Sequence, residues 1–154
     1  MASTTQIQFR EATSADVPAM AELTIRAAGV ADPRVAAYFD GQHHPQHALP
    51  QRVGYVASHN GTVIGYIAGH LTTRHGCEGE VQYLFVAPGR RRCGVATELL
   101  RLLGNWFRQH GARKVCVAVA ADTPQEALPF FESASASPLK KNWYAWEDVS
   151  VVIR

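Results

Sequence analysis

A strand that runs directly into a helix through proline, glycine and arginine constrains this chain more than any other stretch. Glu80 to Val86 reads Glu-Val-Gln-Tyr-Leu-Phe-Val, a run suited to a pleated, half-buried surface. Ala87-Pro88-Gly89 ends it, because proline removes a hydrogen-bond donor and glycine frees the backbone. Beyond Arg90-Arg91-Arg92, the residues Val95, Leu99, Leu102, Leu103 and Trp106 fall on one face of a helix from Gly94 to His110, with Gly111 as its stop. A strand feeding a helix is the unit of an α/β domain. The remaining sequence must therefore supply flanking strands and a second covering layer.

It does so in order. Gln6 to Arg10 alternates Ile7 and Phe9 with polar neighbours, the period of a strand. Thr13-Ser14-Ala15-Asp16 has the form of a capping box, and Val17, Met20, Leu23 and Ala27 recur behind it at helical spacing up to Gly29. Asp32-Pro33 starts a short helix through Tyr38 and Phe39, and Gly41 to Pro50 reads as loop. Val53 to Ser58 and Thr62 to Leu71 form a hairpin around Asn60-Gly61, a pair that tolerates positive φ. Val115 to Val119 is a short strand buried on both faces. Asp122-Thr123 caps a last helix around Gln125 to Ser133, in which Pro129 disturbs the hydrogen bonding, and Trp143 to Ile153 suits one or two final strands. No repeat or linker interrupts the order, so residues 1–154 are expected to form one α/β domain with a mixed sheet.

Composition narrows the function. With 47% apolar residues among 154, the chain can bury roughly two-thirds of its unfolded surface without disulfides. A net charge of +2, from 15 Lys+Arg against 13 Asp+Glu, excludes the broadly basic surface of a general nucleic-acid binder. No apolar run reaches the roughly 18 residues of a membrane span, and Met1 to Thr5 lacks the character of a signal peptide. Cys77, Cys93 and Cys116 form no CxxC pair, which fits reduced thiols and a cytoplasmic protein.

The turn from Val86 to Ala96 is the place to look for a ligand. First-turn N–H groups of a helix have no intrahelical partner, and the peptide dipoles add partial positive charge there. The dipole contributes only about 0.3 to 1 kcal/mol, so several N–H donors and arginine must act together. Gly94 and Ala96 keep side chains out of the way of an approaching phosphate. The turn matches neither G-x-x-x-x-G-K-[ST] nor G-x-G-x-x-G, which disfavours a nucleoside triphosphate and a Rossmann-type dinucleotide.

Arg91-Arg92-Cys93-Gly94-Val95-Ala96 does fit [RQ]-x-x-G-x-[GA], and through it the chain resembles the GNAT-type N-acetyltransferases. Leu84-Phe85-Val86-Ala87-Pro88 is similar to that family's L-x-V-x-P strand, and the opening Phe9 to Thr13 and the hairpin Val56 to Ile67 stand in the family's order. The resemblance implies a mixed central sheet with splayed middle strands, flanked by about four helices. It implies acetyl-coenzyme A as co-substrate, its diphosphate on the amides of Arg91, Arg92, Cys93, Gly94, Val95, Ala96 and Thr97. Its pantetheine arm would lie along Leu84, Phe85 and Val86 as an added strand, with a nearby amide aimed at the thioester carbonyl. The partner implied is a small-molecule or peptide amine.

An amine attacks only when neutral. At pH 7 a lysine amine needs about 4.6 kcal/mol to lose its proton and an α-amine about 1 kcal/mol, so a base matters more for the former. Glu80 is the candidate: it shares a strand face with Gln82, and Glu80-Val81-Gln82-Tyr83 resembles the E-[IV]-x-[FY] of histone-acetyltransferase-like members. The family's proton-donating tyrosine falls in N-x-x-A-x-x-x-Y-x-x-x-G-F, where Phe131 stands here, and Pro124, Ser135 and Ala136 also depart from that pattern. Water or Tyr144 could serve the leaving thiolate instead. A coenzyme-binding module without turnover, or a small nucleotide- or nucleic-acid-binding α/β domain using the arginine turn, are the alternatives.

The remaining signals are weaker. His43, His44 and His47 lack an acidic or cysteine partner at ligand spacing, so no metal is expected, and their segment reads as loop or as acceptor contact. Tyr38, Phe39 and Tyr55 read as core or as cleft lining. Cys116 reads as a small core residue, while thiolate catalysis by Cys77 or Cys93 lacks a His/acid constellation. Trp106, Phe107, Trp143 and Trp146 read as packing, or as a homodimer face if the last strands are exposed.

Overall fold

In the computed structural model, which describes residues 6–29, 32, 34–90, 94–119 and 127–153, seven strands form one sheet. In chain order they are β1 (Ile7–Glu11), β2 (Ala48–His59), β3 (Thr62–Thr72), β4 (Gly79–Val86), β5 (Val115–Ala118), β6 (Ser137–Lys140) and β7 (Trp143–Trp146). Across the sheet they stand β1-β2-β3-β4-β5-β7-β6. Every neighbouring pair is antiparallel except β4 and β5. The helices are α1 (Val17–Ala28), α2 (Arg34–Phe39), α3 (Val95–Gln109) and α4 (Ala127–Ser133). This is the expected mixed α/β architecture with four helices.

Local chemistry explains most boundaries. Asn60 and Gly61 both adopt positive φ, 53° and 80°, which gives the two-residue turn whose twist matches a β2–β3 hairpin. A 3-10 turn at Ser14–Asp16 leads into α1, and the Asp16 carboxylate accepts from Thr13 N at 2.8 Å. Arg10 grips the same carboxylate through two contacts of 2.7 Å. At the other end of α1 the amide of Gly29 donates to Ile25 O at 2.8 Å.

The sheet is covered on both faces. Leu99, Leu103 and Phe107 of α3 lie over Gly65, Gly69 and Gly79, where an added Cβ would meet them at 3.4 Å or less. On the opposite face α1 and α2 pack on Tyr66 and Tyr83: Thr24 Oγ1 lies 2.6 Å from Tyr66 Oη, and the rings of Tyr38 and Tyr83 are 5.4 Å apart, edge to face.

Three expectations change. β2 begins at Ala48 rather than after the presumed loop, because Pro50 sits where the ladder to β3 is irregular, between Ala48 and Arg52, and no donor is needed there. Val149–Val152 forms a 3-10 turn rather than a strand. There Asp148 Oδ1 accepts from Ser150 N at 3.0 Å and from Ser150 Oγ at 2.7 Å, a local bond that competes with sheet pairing. Pro129 falls in the first turn of α4 as described, where its missing N–H costs no intrahelical bond. Asp122, Thr123 and Gln125 lie outside the described residues.

Two irregularities around β4 set the geometry at the centre of the sheet. Ala68 pairs with Tyr83 and Gly69 with Val81, so Gln82 is an extra residue in β4. The parallel ladder to β5 covers only Gly79, Glu80 and Val81, whereas on its other side β4 stays paired with β3 as far as Val86. A bulge bends the bulged strand and raises its twist. Here it falls at the residue where β4 and β5 part.

Asp16→Ala is expected to cost about 1 kcal/mol at pH 7, as for other lost caps. The native Asp16 carboxyl is held below 3.8, mainly by the hydrogen bonds from Arg10, so its contribution is present above that value and fades as pH falls through the lowered one. Urea denaturation of both proteins at neutral and acid pH checks this; a deficit that persists unchanged in acid would refute it.

Candidate active site

The closed end of the β4–β5 fork is built from ionisable side chains. Glu80 pairs with Cys116 on β5 and with His70 on β3, one residue before the strands part, and is only 4% exposed. Its Oε1 accepts from Arg74 Nε at 3.0 Å and lies 3.4 Å from His70 Nε2. No hydrogen bond among the described residues falls on Oε2. Arg74 comes from the 3-10 turn Arg74–Gly76 ahead of β4, and its guanidinium lies 4.9 Å from the ring centre of Trp143. His75 meets the same indole edge-on at 4.7 Å. His70 is fully buried, with Nδ1 2.8 Å from Tyr38 Oη, and Arg52 sits over the Tyr38 ring at 4.6 Å. Glu80 therefore lies midway along a polar chain running from Arg52 through Tyr38, His70 and Arg74 to Trp143.

The bulge corrects the expected strand face. Gln82 occupies the extra position, so Glu80's neighbour along the α1/α2 face is Tyr83, whose ring meets the same Tyr38 that bonds His70. Burial pushes the Tyr83 phenol up to about 12, so it stays protonated at neutral pH. Next to it, the side chain of Gln82 lies within hydrogen-bonding reach of the Tyr83 phenol. His70 Nε2 and His75 Nε2 are buried without a hydrogen-bond partner among the described residues.

At the open end of the fork stands the start of α3. Leu84 and Phe85 are half-buried and Val86 is buried. A 3-10 turn over Pro88–Arg90 comes next, with Arg90 reaching back to His59 Nδ1 at 2.7 Å. Arg91, Arg92 and Cys93 lie outside the described residues. Gly94 precedes α3 at φ +79°, a conformation that side chains rarely adopt, and an added Cβ there would meet nothing within 4 Å among the described residues. Val95 is buried, Ala96 half-buried and Thr97 exposed. The acidic first-turn residue Glu98 is neutralised by Arg101 through contacts of 2.9 and 2.6 Å. The helix start thus keeps its positive end.

Other singled-out residues take structural places. Phe131 is 3% exposed and packs edge-on against Trp146 at 5.9 Å. Tyr144 Oη donates to Glu132 Oε2 at 3.4 Å. Cys77 and Cys116 are buried together with Ala145, and burial raises both thiols above their ordinary value. Arg52 holds the histidine segment through His43 O at 2.9 Å and His44 Nδ1 at 2.9 Å, while His47 O accepts from Thr72 Oγ1 at 3.0 Å. No group of three potential ligands among the described residues is placed to hold a metal. Sequence reasoning missed His70 and Arg74. The available signal was an ionisable residue inside the otherwise apolar run Ile64 to Leu71.

Comparison with known proteins bears on the fold. The acetyltransferase (GNAT) family model matches residues 18–135. Similar solved structures include an N-acetyltransferase from Staphylococcus aureus Mu50, 16% identical over 94% of this chain and 99% of that one, with a TM-score of 0.71. The PaiA N-acetyltransferase of Thermoplasma acidophilum, in complex with coenzyme A, is 13% identical over 91% and 96%, with a TM-score of 0.68. A ribosomal-protein alanine N-acetyltransferase from Escherichia coli is 16% identical over 91% and 89%, with a TM-score of 0.65. At these identities the likeness is one of fold. No curated protein sequence matches the chain.

Removing Arg74 leaves the Glu80 carboxylate buried without its cation. Arg74→Met should cost roughly 3 kcal/mol, and adding Glu80→Gln should recover most of the loss, because the desolvated charge is then gone. Chemical denaturation of the two single variants and the double variant checks it; additive losses would show that the pair is not coupled.

Proposed function

The chain belongs to the acetyltransferase (GNAT) family, and on that premise we propose that it transfers the acetyl group of acetyl-coenzyme A to a primary amine by direct attack, with donor and acceptor bound together. The observation that carries this reading is the fork: β4 continues to Val86 after its ladder with β5 ends at Val81, and the strand then leads to the start of α3. The stretch from Gln82 to Phe85, beyond the ladder with β5, suits an extended amide-bearing arm, which would pair with it as an added strand.

The residues present suit this donor. Leu84, Phe85 and Val86 would lie along the pantetheine arm, and Gly94, Val95, Ala96 and Thr97, with Arg91, Arg92 and Cys93, would hold the diphosphate. Open space at Gly94 and the neutralised Glu98 favour an anion at this helix start. When bound, acetyl-coenzyme A supplies the activated carbonyl, whose carbon–sulfur bond breaks as the new amide bond forms, the departing thiolate taking a proton from water. The chain supplies main-chain donors beyond Val81 for the charge that develops on that carbonyl oxygen. Glu80 supplies the base: with Oε1 engaged by Arg74, its Oε2 takes the ammonium proton, directly or through one water. The acceptor is a small-molecule or peptide amine entering from the side of α1 and α2.

One observation favours a second reading, a coenzyme-binding module with little turnover. Phe131 stands at the position of the family's proton donor and is packed into the core. Calorimetry with acetyl-coenzyme A followed by thiol-release assays over an amine panel separates the two. Binding with release on at least one amine supports the enzyme; binding without release on any supports the module.

Gly94→Glu is expected to abolish coenzyme binding while the fold persists, because it adds bulk and negative charge at the helix start; unchanged affinity by calorimetry would refute the placement. Glu80→Gln should slow lysine-like acceptors by roughly 10² or more, and α-amines much less, since the base is needed most where the amine is most basic. Equal slowing of both classes in steady-state assays would remove the assignment.

A further inference from the structure

His70 and Tyr38 belong to neither the coenzyme site nor the residues that reach the acceptor, yet both are wholly buried and polar. Their hydrogen bond has one satisfactory direction. Tyr38 Oη lies 2.8 Å from His70 Nδ1, the one hydrogen bond this hydroxyl makes among the described residues. Were the imidazole proton on Nδ1, it would point at the phenol and leave the phenol proton buried with no acceptor. With Tyr38 donating to Nδ1, the ring proton sits on Nε2, and Nε2 faces Glu80 Oε1 at 3.4 Å. Burial pushes the Tyr38 phenol up, so it remains a donor at neutral pH.

Charge gives this tautomer its value. The groups facing the imidazole and its carboxylate are Tyr38 on α2, Glu80 and Tyr83 on β4, Cys116 on β5 and Arg74 ahead of β4, with Arg52 of β2 above Tyr38. Arg74 already places one cation on Oε1. A second cation would weaken any carboxylate as a base, whereas a neutral N–H adds direction without charge.

Resting on the reading of Glu80 as base, we propose that Tyr38 and His70 are positioning residues for it. Tyr38 locks His70 as the neutral Nε2–H tautomer, and this N–H joins Arg74 in pinning Oε1 so that Oε2 is presented to the acceptor amine. In the structure as it stands the 3.4 Å approach of Nε2 to Oε1 is not aligned as a hydrogen bond; under this proposal it closes into one when the acceptor is bound, as catalytic contacts that are loose in the free protein do.

The tautomer is tested first, in the wild-type protein, by nitrogen-15 NMR of the histidine side chains, with His70→Gln used to assign the signals. A protonated Nε2 and a bare Nδ1 at neutral pH are expected; a proton on Nδ1, or on both nitrogens, overturns the proposal whatever the acceptor. Kinetics then test the role, with coenzyme affinity measured by calorimetry to show an intact fold. His70→Leu should lower kcat for lysine-like acceptors at least tenfold, with a much smaller effect on α-amines and on coenzyme affinity. His70→Gln, whose amide can still donate toward Oε1, should recover most of that loss. Equal loss on both acceptor classes, or no recovery in His70→Gln, overturns the positioning role. If Glu80→Gln spares lysine-like acceptors, it is the base reading that fails; if Glu80→Gln slows them and His70→Leu does not, the positioning role alone fails.

Discussion

One extra residue in one strand governs the working half of this molecule. Gln82 has no counterpart on β3, and the bend it introduces coincides with the last rung between β4 and β5. The ladder with β5, a strand of only Val115–Ala118, ends at Val81, next to this bulge. Beyond it, β4 keeps its antiparallel partner on one side and opens on the other. The same insertion shifts the alternation, which brings Tyr83 alongside Glu80 on the face covered by α1 and α2. The same irregularity thus stands where β4 and β5 part and places Tyr83 beside Glu80.

Much of the fold was legible because local chemistry dictated it. Asn60-Gly61 could hardly be anything but a tight turn, and Val95, Leu99 and Leu103 of the apolar stripe had to find a sheet, although Phe107 rather than Leu102 or Trp106 completes the buried face. The Thr13 to Asp16 motif closed as its spacing implied, and Arg10 added a second grip that spacing did not reveal. What escaped depended on partners distant in sequence. The bulge has no local signature, since Gln82 looks like any polar residue on a strand. Pro50 reads as a breaker until the ladder irregularity beside it is known, and the β-branched run Val149–Val152 reads as strand until Asp148 turns it.

The candidate site divides along the same line. Its anion-binding half is written contiguously, because a helix start and its preceding turn are one segment. Its acid–base half is assembled from α2, β3, the turn before β4, and β4 itself, with register deciding that His70 faces Glu80. That register is not written in any one segment. Convergence on a single oxygen is the notable outcome: a carboxylate held at both oxygens is a structural ion pair, while one held at Oε1 alone keeps a lone-pair face for chemistry.

Of the chain's three tryptophans, Trp106 is stacked on His110 at 4.1 Å and Trp146 is buried with its indole N–H on Ala134 O, while Trp143 lies under Arg74, the cation that holds Glu80. One of the molecule's three intrinsic fluorophores therefore touches the cation that holds its candidate base, so a change of charge at that carboxylate is felt directly by a single indole.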